Sequence, residues 1–527
     1  MSKFSLSAYT GSLGFSTLLM LAAGGLTVFS FAPFHLWLLQ VAGPALLFIL
    51  LLRHDAARLT SGRAFLLGWA YGFAALYAAT HWLLIAMHRF GGMPQLLAVI
   101  ALAFLAAYLA LFYGLFAASA CWVCRRWHPP RWIAALLFFP ALWVANEWLR
   151  GFLFTGFPWA ISGYAHTASP LAGFAPVLGV LGLGWLNAVL AGMAALLFLN
   201  PDRVIRFAVP LVVTGVLAAG SWLQSVSWTS PSGQPLKISL LQGNIAQDQK
   251  FDPDHLEATL RLYHDMILQA DADLIVTPET ALPVLSSQLP PDYLPTLNAF
   301  AQQQRHAVLI GLAAHDGDAR YANSVVGFSP DYAQWAYRYD KHHLVPFGEF
   351  IPYGFRWFVN LMHIPLGDFT AGAPLQAAMH VRDQAVLPNI CYEDLFGEEI
   401  AAQLAAQADG AGAATILLNV SNMAWYGDSV AMPQHLQFSI MRVLETGRPM
   451  LRSTNTGATA AIDAGGRQIA LLPYLERGIL SATVQGRQGI TPYIRWGNQL
   501  IAGLVLLSLL TGFALTIRRR PAADFNR

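Results

Sequence analysis

Eight stretches of this chain are too long and too apolar to share the interior of one water-soluble fold. They run 13–31, 34–52, 64–85, 96–121, 133–148, 172–199, 207–223 and 496–517. A helix rises about 1.5 Å per residue, so about 20 apolar residues cross the hydrocarbon layer of a bilayer. Most of the runs meet that length; 133–148 and 207–223 fall short of it. A single soluble core has no room for eight such helices. The pattern therefore predicts a membrane α-helical bundle of eight transmembrane helices, seven in 1–224 and the eighth in 496–527.

Charge divides the chain at the same places. Of 527 residues only 11% are charged, and the formal net charge is +2. Residues 1–224 hold 11 Lys/Arg and 3 Asp/Glu, and 496–527 hold 4 and 1, a combined surplus of +11. Residues 225–495 hold 16 Lys/Arg against 25 Asp/Glu, a deficit of −9. Near-neutrality is thus the sum of two regions suited to different surroundings. Neither a nucleic-acid binder nor a disordered chain has this composition.

Orientation follows from where the cations fall, because Lys and Arg accumulate in cytoplasmic connections. Alternate segments, starting with Lys3, carry thirteen of them, including Arg125, Arg126, Arg203 and Arg518. The opposite short loops carry Arg89 and Arg150. Both termini are expected in the cytoplasm, with 225–495 on the far side of the membrane. The first run then acts as an uncleaved anchor, since removing it would break the alternation. The spans themselves are nearly free of charge: His81 and the Glu147–Arg150 pair, three apart on one helix face, stand nearly alone. That scarcity argues against an ion pump or transporter. Glu147 is expected to order the outer loop. Cys121 and Cys124 form a C-x-x-C outside any βαβ pattern, which favours packing over redox chemistry.

The acidic region alternates between β-rich runs and helical patterns. Strands are expected at 237–245, 274–277, 307–313, 324–328, 335–339, 385–391, 414–420, 450–453 and 459–463. Helices are expected at 253–270, 293–304, 398–407 and 433–445. Asp252 before Pro253 is an N-cap followed by proline in the first turn. Interleaved elements of this kind make a layered α/β domain, and about 270 residues suffice for its own core.

Three polar positions follow strands in this region. Cys391 closes an apolar run and is followed by Tyr392, Glu393 and Asp394; Glu279 stands in T-P-E-T; Lys341 stands in Y-D-K-H-H. A thiol nucleophile needs a base, and its oxyanion needs a cation or N–H donors. Carboxylate, ammonium and thiol could supply all three. From the residues alone, Cys391 reads equally as a nucleophile or as a buried inert thiol. Metal-ligand spacings and phosphate-binding Gly loops are not found, so no cofactor and no metal are expected.

At these positions the chain resembles the carbon–nitrogen hydrolase (nitrilase) superfamily, through P-E-T around Glu279, Y-D-K around Lys341 and N-I-C-Y-E-D around Cys391. R-V-L-E-T-G-R-P at 442–449 and T-N-T-G at 454–457 extend the match. Seven spans before such a domain and one after it resemble the apolipoprotein N-acyltransferase family, as do F-A-P-F at 31–34 and E-W-L-R…G-F-P-W at 147–159. Phe251 stands where that family often has Trp, and Met423 where an acidic residue is usual.

The resemblance implies an α-β-β-α sandwich at 225–495 on the periplasmic side of a bacterial inner membrane. It also implies a ping-pong acyl transfer with Glu279 as base, Lys341 as oxyanion cation and Cys391 as nucleophile. Glu349, Tyr392 and Glu393 would support them. The implied donor is a phospholipid, with phosphatidylethanolamine preferred; the acceptor is the amine of a diacylglyceryl-cysteine apolipoprotein. The aromatic-rich segment 346–374, including Phe358, reads as a lid or acyl-chain wall. Trp425 and Tyr426 read as a second arm over the entrance. Two other readings are a membrane-tethered amidase and a non-catalytic sensor or transporter. The intact Glu–Lys–Cys set and the charge-poor spans speak against the last.

Overall fold

The structure is a computed structural model that describes residues 12–53, 59–199, 202–315, 320–330, 337–354, 356, 369–408 and 413–518. It divides into two compact units: Met1–His81 with Leu96–Val226 and Asn498–Arg527, and Trp82–Gln95 with Ser227–Gly497.

All eight apolar runs form helix in the structure. Among the described residues, six helical segments are long and apolar enough to cross a membrane: Leu13–Ser30, Gln95–Trp127, Arg131–Thr155, Pro170–Leu199, Arg203–Leu223 and Gln499–Arg518. A seventh is reached if Ser61–Ala79 and Leu83–Phe90 count as one broken span. The expected eight are therefore not reached by length and composition. Two local causes account for the difference. The run 34–52 begins in a turn and yields only the 16-residue helix Leu38–Arg53. The run 64–85 is continuous in hydropathy, but its helix stops at Ala79. There the Thr80 N–H and hydroxyl both donate to the Leu76 carbonyl, at 3.0 and 2.7 Å, and the chain bends before Leu83–Phe90.

Within the first unit the helices pack through small residues and aromatic rings. A Cβ on Gly24 would lie 2.0 Å from the Tyr71 carbonyl oxygen, so that approach of two helices requires glycine. Phe48, Phe116 and Trp143 form an edge-to-face cluster, with Tyr71 and Tyr113 also packed against Trp143. Glu147 and Arg150 are buried and both bond to the loop that follows their helix. Glu147 accepts from the Ser162 N–H at 2.9 Å and its hydroxyl at 2.8 Å. Arg150 donates to the carbonyls of Phe157 and Trp159, each at 2.8 Å. The loop-ordering role expected of Glu147 is what these bonds perform. Cys121 and Cys124 are free thiols.

The second unit is built on two sheets. Its strands are β1 (Ser230–Pro231), β2 (Leu236–Gln242), β3 (Leu274–Val276), β4 (Leu282–Leu285), β5 (Ala307–His315), β6 (Tyr321–Phe328), β7 (Tyr337–Asp340), β8 (Met379–Val381), β9 (Gln384–Ile390), β10 (Ile416–Ser421), β11 (Met450–Thr454), β12 (Ala460–Ile462), β13 (Gln468–Leu471), β14 (Gly478–Val484) and β15 (Arg487–Gln488). One sheet has the order β14-β2-β3-β5-β6-β7, with β4 paired to β5; the other has the order β13-β12-β11-β10-β9-β8. Each has a parallel centre, β2-β3-β5 in the first and β9-β10-β11 in the second. Both are flanked by antiparallel strands.

Side-chain alternation explains the layering. Leu274, Val276 and Leu309 face the inter-sheet core with Ile390, Leu418 and Val420 of the other sheet. Ile275, Val308 and Ile310 point the other way, against Leu260, Tyr263 and Ile267 of helix Pro253–Gln269 and Leu297 of helix Tyr293–Gln304. On the second sheet Leu387 and Leu417 meet Ile400 and Leu404 of helix Gly397–Gln407 and Leu436 and Val443 of helix Ala431–Thr446. Strands buried on both faces read as unbroken apolar runs, as these do. The result is the α-β-β-α sandwich that the family resemblance implied. Asp252 caps its helix as expected, accepting from the Asp254 N–H at 3.0 Å with Pro253 in the first turn.

Candidate active site

Parallel strands deliver their C-terminal ends to one edge of a sheet, and here two sheets share that arrangement. Cys391 follows β9, and its neighbour in register is at the end of β10, where Val420 pairs with Ile390. Its backbone is left-handed, with φ +53°. A non-glycine residue held there costs about 1–3 kcal/mol and lifts the side chain out of the strand's run. Three contacts maintain the turn. Asn419 on β10 donates to the Cys391 carbonyl at 3.3 Å. Arg452 on β11 in turn donates to Asn419 Oδ1 at 2.9 Å. The Glu393 carboxylate accepts from the Ile390 N–H at 2.6 Å.

Glu279 follows β3 in a turn where Thr280 has φ +48°. Gly311 on β5 makes room for it, because a Cβ there would lie 2.2 Å from the Pro278 carbonyl oxygen. One Glu279 oxygen accepts from Asn323 Nδ2 at 2.8 Å, and the other from the Asn422 N–H at 2.8 Å. Lys341 follows β7 and is 1% exposed. Its ammonium donates to Glu349 at 2.9 Å and approaches Glu279 at 3.5 Å. Asn323 also donates to Glu349 at 2.7 Å, and the Val345 N–H binds the second Glu349 oxygen at 2.8 Å.

These contacts fix the protonation states. Burial acts to discharge Lys341, but Glu349, Glu279 and Cys391 outweigh it and hold the ammonium above the ordinary lysine range. Burial and the negative charge of Glu279 push the Cys391 thiol up to about 12, with Lys341 pulling the other way. Cys391 is therefore held as a neutral thiol beside the Lys341 cation. A thiol so placed needs a base at hand before it can act as a nucleophile.

Glu349 joins the cluster directly, whereas Glu393 takes a different position. Its carboxylate accepts from the N–H groups of His342 at 2.7 Å, His343 at 3.2 Å and Ile390, and from the Tyr339 hydroxyl at 3.1 Å. It thus ties the loop after β7 to the loop after β9, the two that carry Lys341 and Cys391. Burial raises its pKa to about 7 against those stabilising bonds. This proton binding favours the folded state fully below the ordinary glutamate range near 4.5 and is lost as pH rises through about 7. Thermal unfolding scans should show wild-type stability declining over that window and a flatter profile in Glu393→Gln. The variant should also lose about 1–3 kcal/mol, because its amide N–H₂ meets the Ile390 N–H donor.

Tyr392 is buried, with its ring 5.2 Å from that of Phe396. Trp425 and Tyr426 lie in the short turn Ala424–Tyr426 that follows β10. Tyr426 packs edge-on against Trp82 at 4.4 Å and Trp425 against Phe90 at 6.0 Å. Burial raises the Tyr426 phenol above its usual range, and the charges of Cys391 and Glu279 add to it. Met423 is fully buried, while Phe251 is 55% exposed. Phe358 lies outside the described residues. Asn323, Asn422 and Lys250 were not singled out from the sequence. Asn323 lies inside β6 and reaches the site only through sheet register. Asn422 and Lys250 each stand beside a position where the sequence departs from the family, Met423 and Phe251.

Comparison with known proteins follows the same division of the chain. Residues 23–194 match the apolipoprotein N-acyltransferase N-terminal domain, and 237–493 match the carbon–nitrogen hydrolase family. An apolipoprotein N-acyltransferase from Ralstonia nicotianae is 45% identical over 97% of this chain and 95% of its own length. Those from Nitrosomonas europaea and Bordetella bronchiseptica are 44% and 41% identical, over 93% and 95% of this chain and 95% and 97% of their own. The chain belongs to the apolipoprotein N-acyltransferase family. Members of this family are bacterial membrane enzymes, and the helical unit with its long apolar spans accords with that. The sandwich lies in the part of the chain that matches the carbon–nitrogen hydrolase family, and the cluster at its strand ends is the candidate site.

Proposed function

We propose that this protein transfers the sn-1 acyl chain of a phospholipid, phosphatidylethanolamine foremost, to the N-terminal amine of a diacylglyceryl-cysteine apolipoprotein. Lipoprotein N-acylation is the activity its family membership supports. The observation that carries the finer reading is the Lys341 ammonium held between Glu279 and Glu349 next to Cys391.

In the first half-reaction Glu279 takes the Cys391 proton as sulfur attacks the ester carbonyl. The tetrahedral oxyanion is met by Lys341 and by backbone N–H at the Cys391–Tyr392 turn. Collapse breaks the ester C–O bond, returns the proton to the departing alcohol and leaves a lysophospholipid and a Cys391 thioester. In the second half the acceptor's neutral amine attacks the thioester carbonyl. Glu279 accepts the ammonium proton, the C–S bond breaks, and that proton returns to the thiolate. Amides are more stable than thioesters, so transfer runs one way. Phe358, Trp425 and Tyr426 are proposed to guide acyl chains toward Cys391. The thirteen-to-two distribution of cations supports cytoplasmic termini and a periplasmic 225–495 domain between spans in 1–224 and 496–527.

The test uses purified protein in phospholipid micelles with label in the sn-1 or the sn-2 chain of phosphatidylethanolamine. Label from sn-1 should appear on a diacylglyceryl-cysteinyl peptide. Release of free fatty acid with no peptide acylation would instead support a membrane-tethered amidase-like hydrolase.

A further inference from the structure

The short helix Gln247–Lys250 sits beside the site but plays no part in the scheme above. It grips the Glu279 turn at two points. Gln247 Oε1 accepts from Asn422 Nδ2 at 2.9 Å, and the Asn422 N–H is the one that binds the Glu279 carboxylate. Lys250 Nζ donates to the backbone carbonyl of Glu279 itself at 3.1 Å. Lys250 is 2% exposed, a rare setting for an ammonium, which is normally buried only beside compensating charge.

We propose that Lys250 is a positioning residue for the acylation step, anchoring the Glu279 turn and offsetting the negative charge that Glu279 and the Cys391 thiolate place in the site. This rests on the reading of Cys391 as nucleophile and Glu279 as base. The charged and titratable groups facing Lys250 are Glu279 and Cys391, with Lys341 and Glu349 on the other side of Glu279. With both lysines charged, Glu279 and Glu349 ionised and Cys391 a thiol, the cluster is neutral. It stays neutral when the Cys391 proton moves to Glu279. Removing Lys250's charge leaves a net negative site, and a thiolate forms there only at higher pH. Burial lowers the Lys250 ammonium to about 8, partly countered by Glu279 and Cys391, so it carries its charge at neutral pH. A lysine that merely filled space would have no such effect on sulfur.

The experiment compares full-length wild type with Lys250→Met, Lys250→Gln and Lys250→Arg in phospholipid-containing micelles. Two quantities are read on the Cys391 peptide by mass spectrometry: the rate of S-acylation at neutral pH, and how that rate changes as pH rises through about 8, where Lys250 loses its charge. Met and Gln should slow S-acylation about tenfold or more at neutral pH and lack the wild-type fall in relative rate through that window. Arg should stay near the wild-type rate at neutral pH and hold it past that window. Neutral-pH rates in Met and Gln equal to wild type, or the same fall through about pH 8 in them, overturn the proposal, whether their folded yield falls or not. So does an Arg rate as low as that of Met. A wild-type Cys391 that forms no thioester at all would overturn the nucleophile reading beneath it, a distinguishable result.

Discussion

Cys391→Ala should retain the folded sandwich and lose N-acylation of a diacylglyceryl-cysteinyl peptide by at least about a thousandfold. The expected loss is this large because every acyl chain passes through one sulfur in the proposed scheme. Alanine keeps Cβ and tolerates the local backbone no worse than cysteine, so the φ +53° turn is preserved. The Asn419 bond to the residue-391 carbonyl does not involve the side chain and should survive. Peptide acylation and the melting profile, measured on the same preparation, separate lost chemistry from lost fold. Wild-type rates from the alanine variant would remove Cys391 from the mechanism.

Lys341→Met should reduce S-acylation of Cys391 about 10²- to 10³-fold, the usual effect of deleting one oxyanion donor. It should also lower stability, because the Glu279 and Glu349 carboxylates lose the cation between them. Breaking one side of a buried ion pair typically costs about 3–5 kcal/mol. The two effects can be separated by adding Glu349→Gln. That second change removes one unpaired carboxylate and should raise the melting temperature of Lys341→Met, while acylation stays low. Recovery of activity along with stability would mean that Lys341 acts only as scaffold.

The sandwich was legible in the sequence wherever a strand is buried on both faces. The runs at 274–277, 385–391 and 414–420 overlap β3, β9 and β10 closely, because continuous Val, Ile and Leu leave few other folds open. Strands β8, β13 and β14 gave no comparable signal. β8 is three residues long, while β13 and β14 carry exposed residues that blur the apolar pattern. Helix breaks were equally hidden: the helix Ser61–Ala79 stops at Ala79 inside an unbroken apolar run.

The site shows the same boundary between local and tertiary information. Glu279, Lys341 and Cys391 stand at strand ends within short motifs, so each was visible alone. Their convergence depends on how the parallel strands of two sheets align, which spacing along the chain does not express. Asn323 illustrates the point. It is an unremarkable polar residue in β6 until register places Ser324 opposite Asp340 and the Lys341 N–H on the Asn323 carbonyl. Its place beside Cys391 in the sequence marks Glu393 as a supporting carboxylate without saying what it supports. Three-dimensional pairing gives it the backbone N–H groups of two loops.

The central claim, a covalent acyl-enzyme on Cys391, has a direct test. Wild-type protein incubated with phosphatidylethanolamine, then digested and analysed by mass spectrometry, should carry one acyl chain on the Cys391 peptide. Adding a diacylglyceryl-cysteinyl peptide should discharge it as the acceptor gains the same mass on its N-terminal amine. Acceptor acylation without any acyl mass on Cys391, under conditions that trap thioesters, would contradict the account.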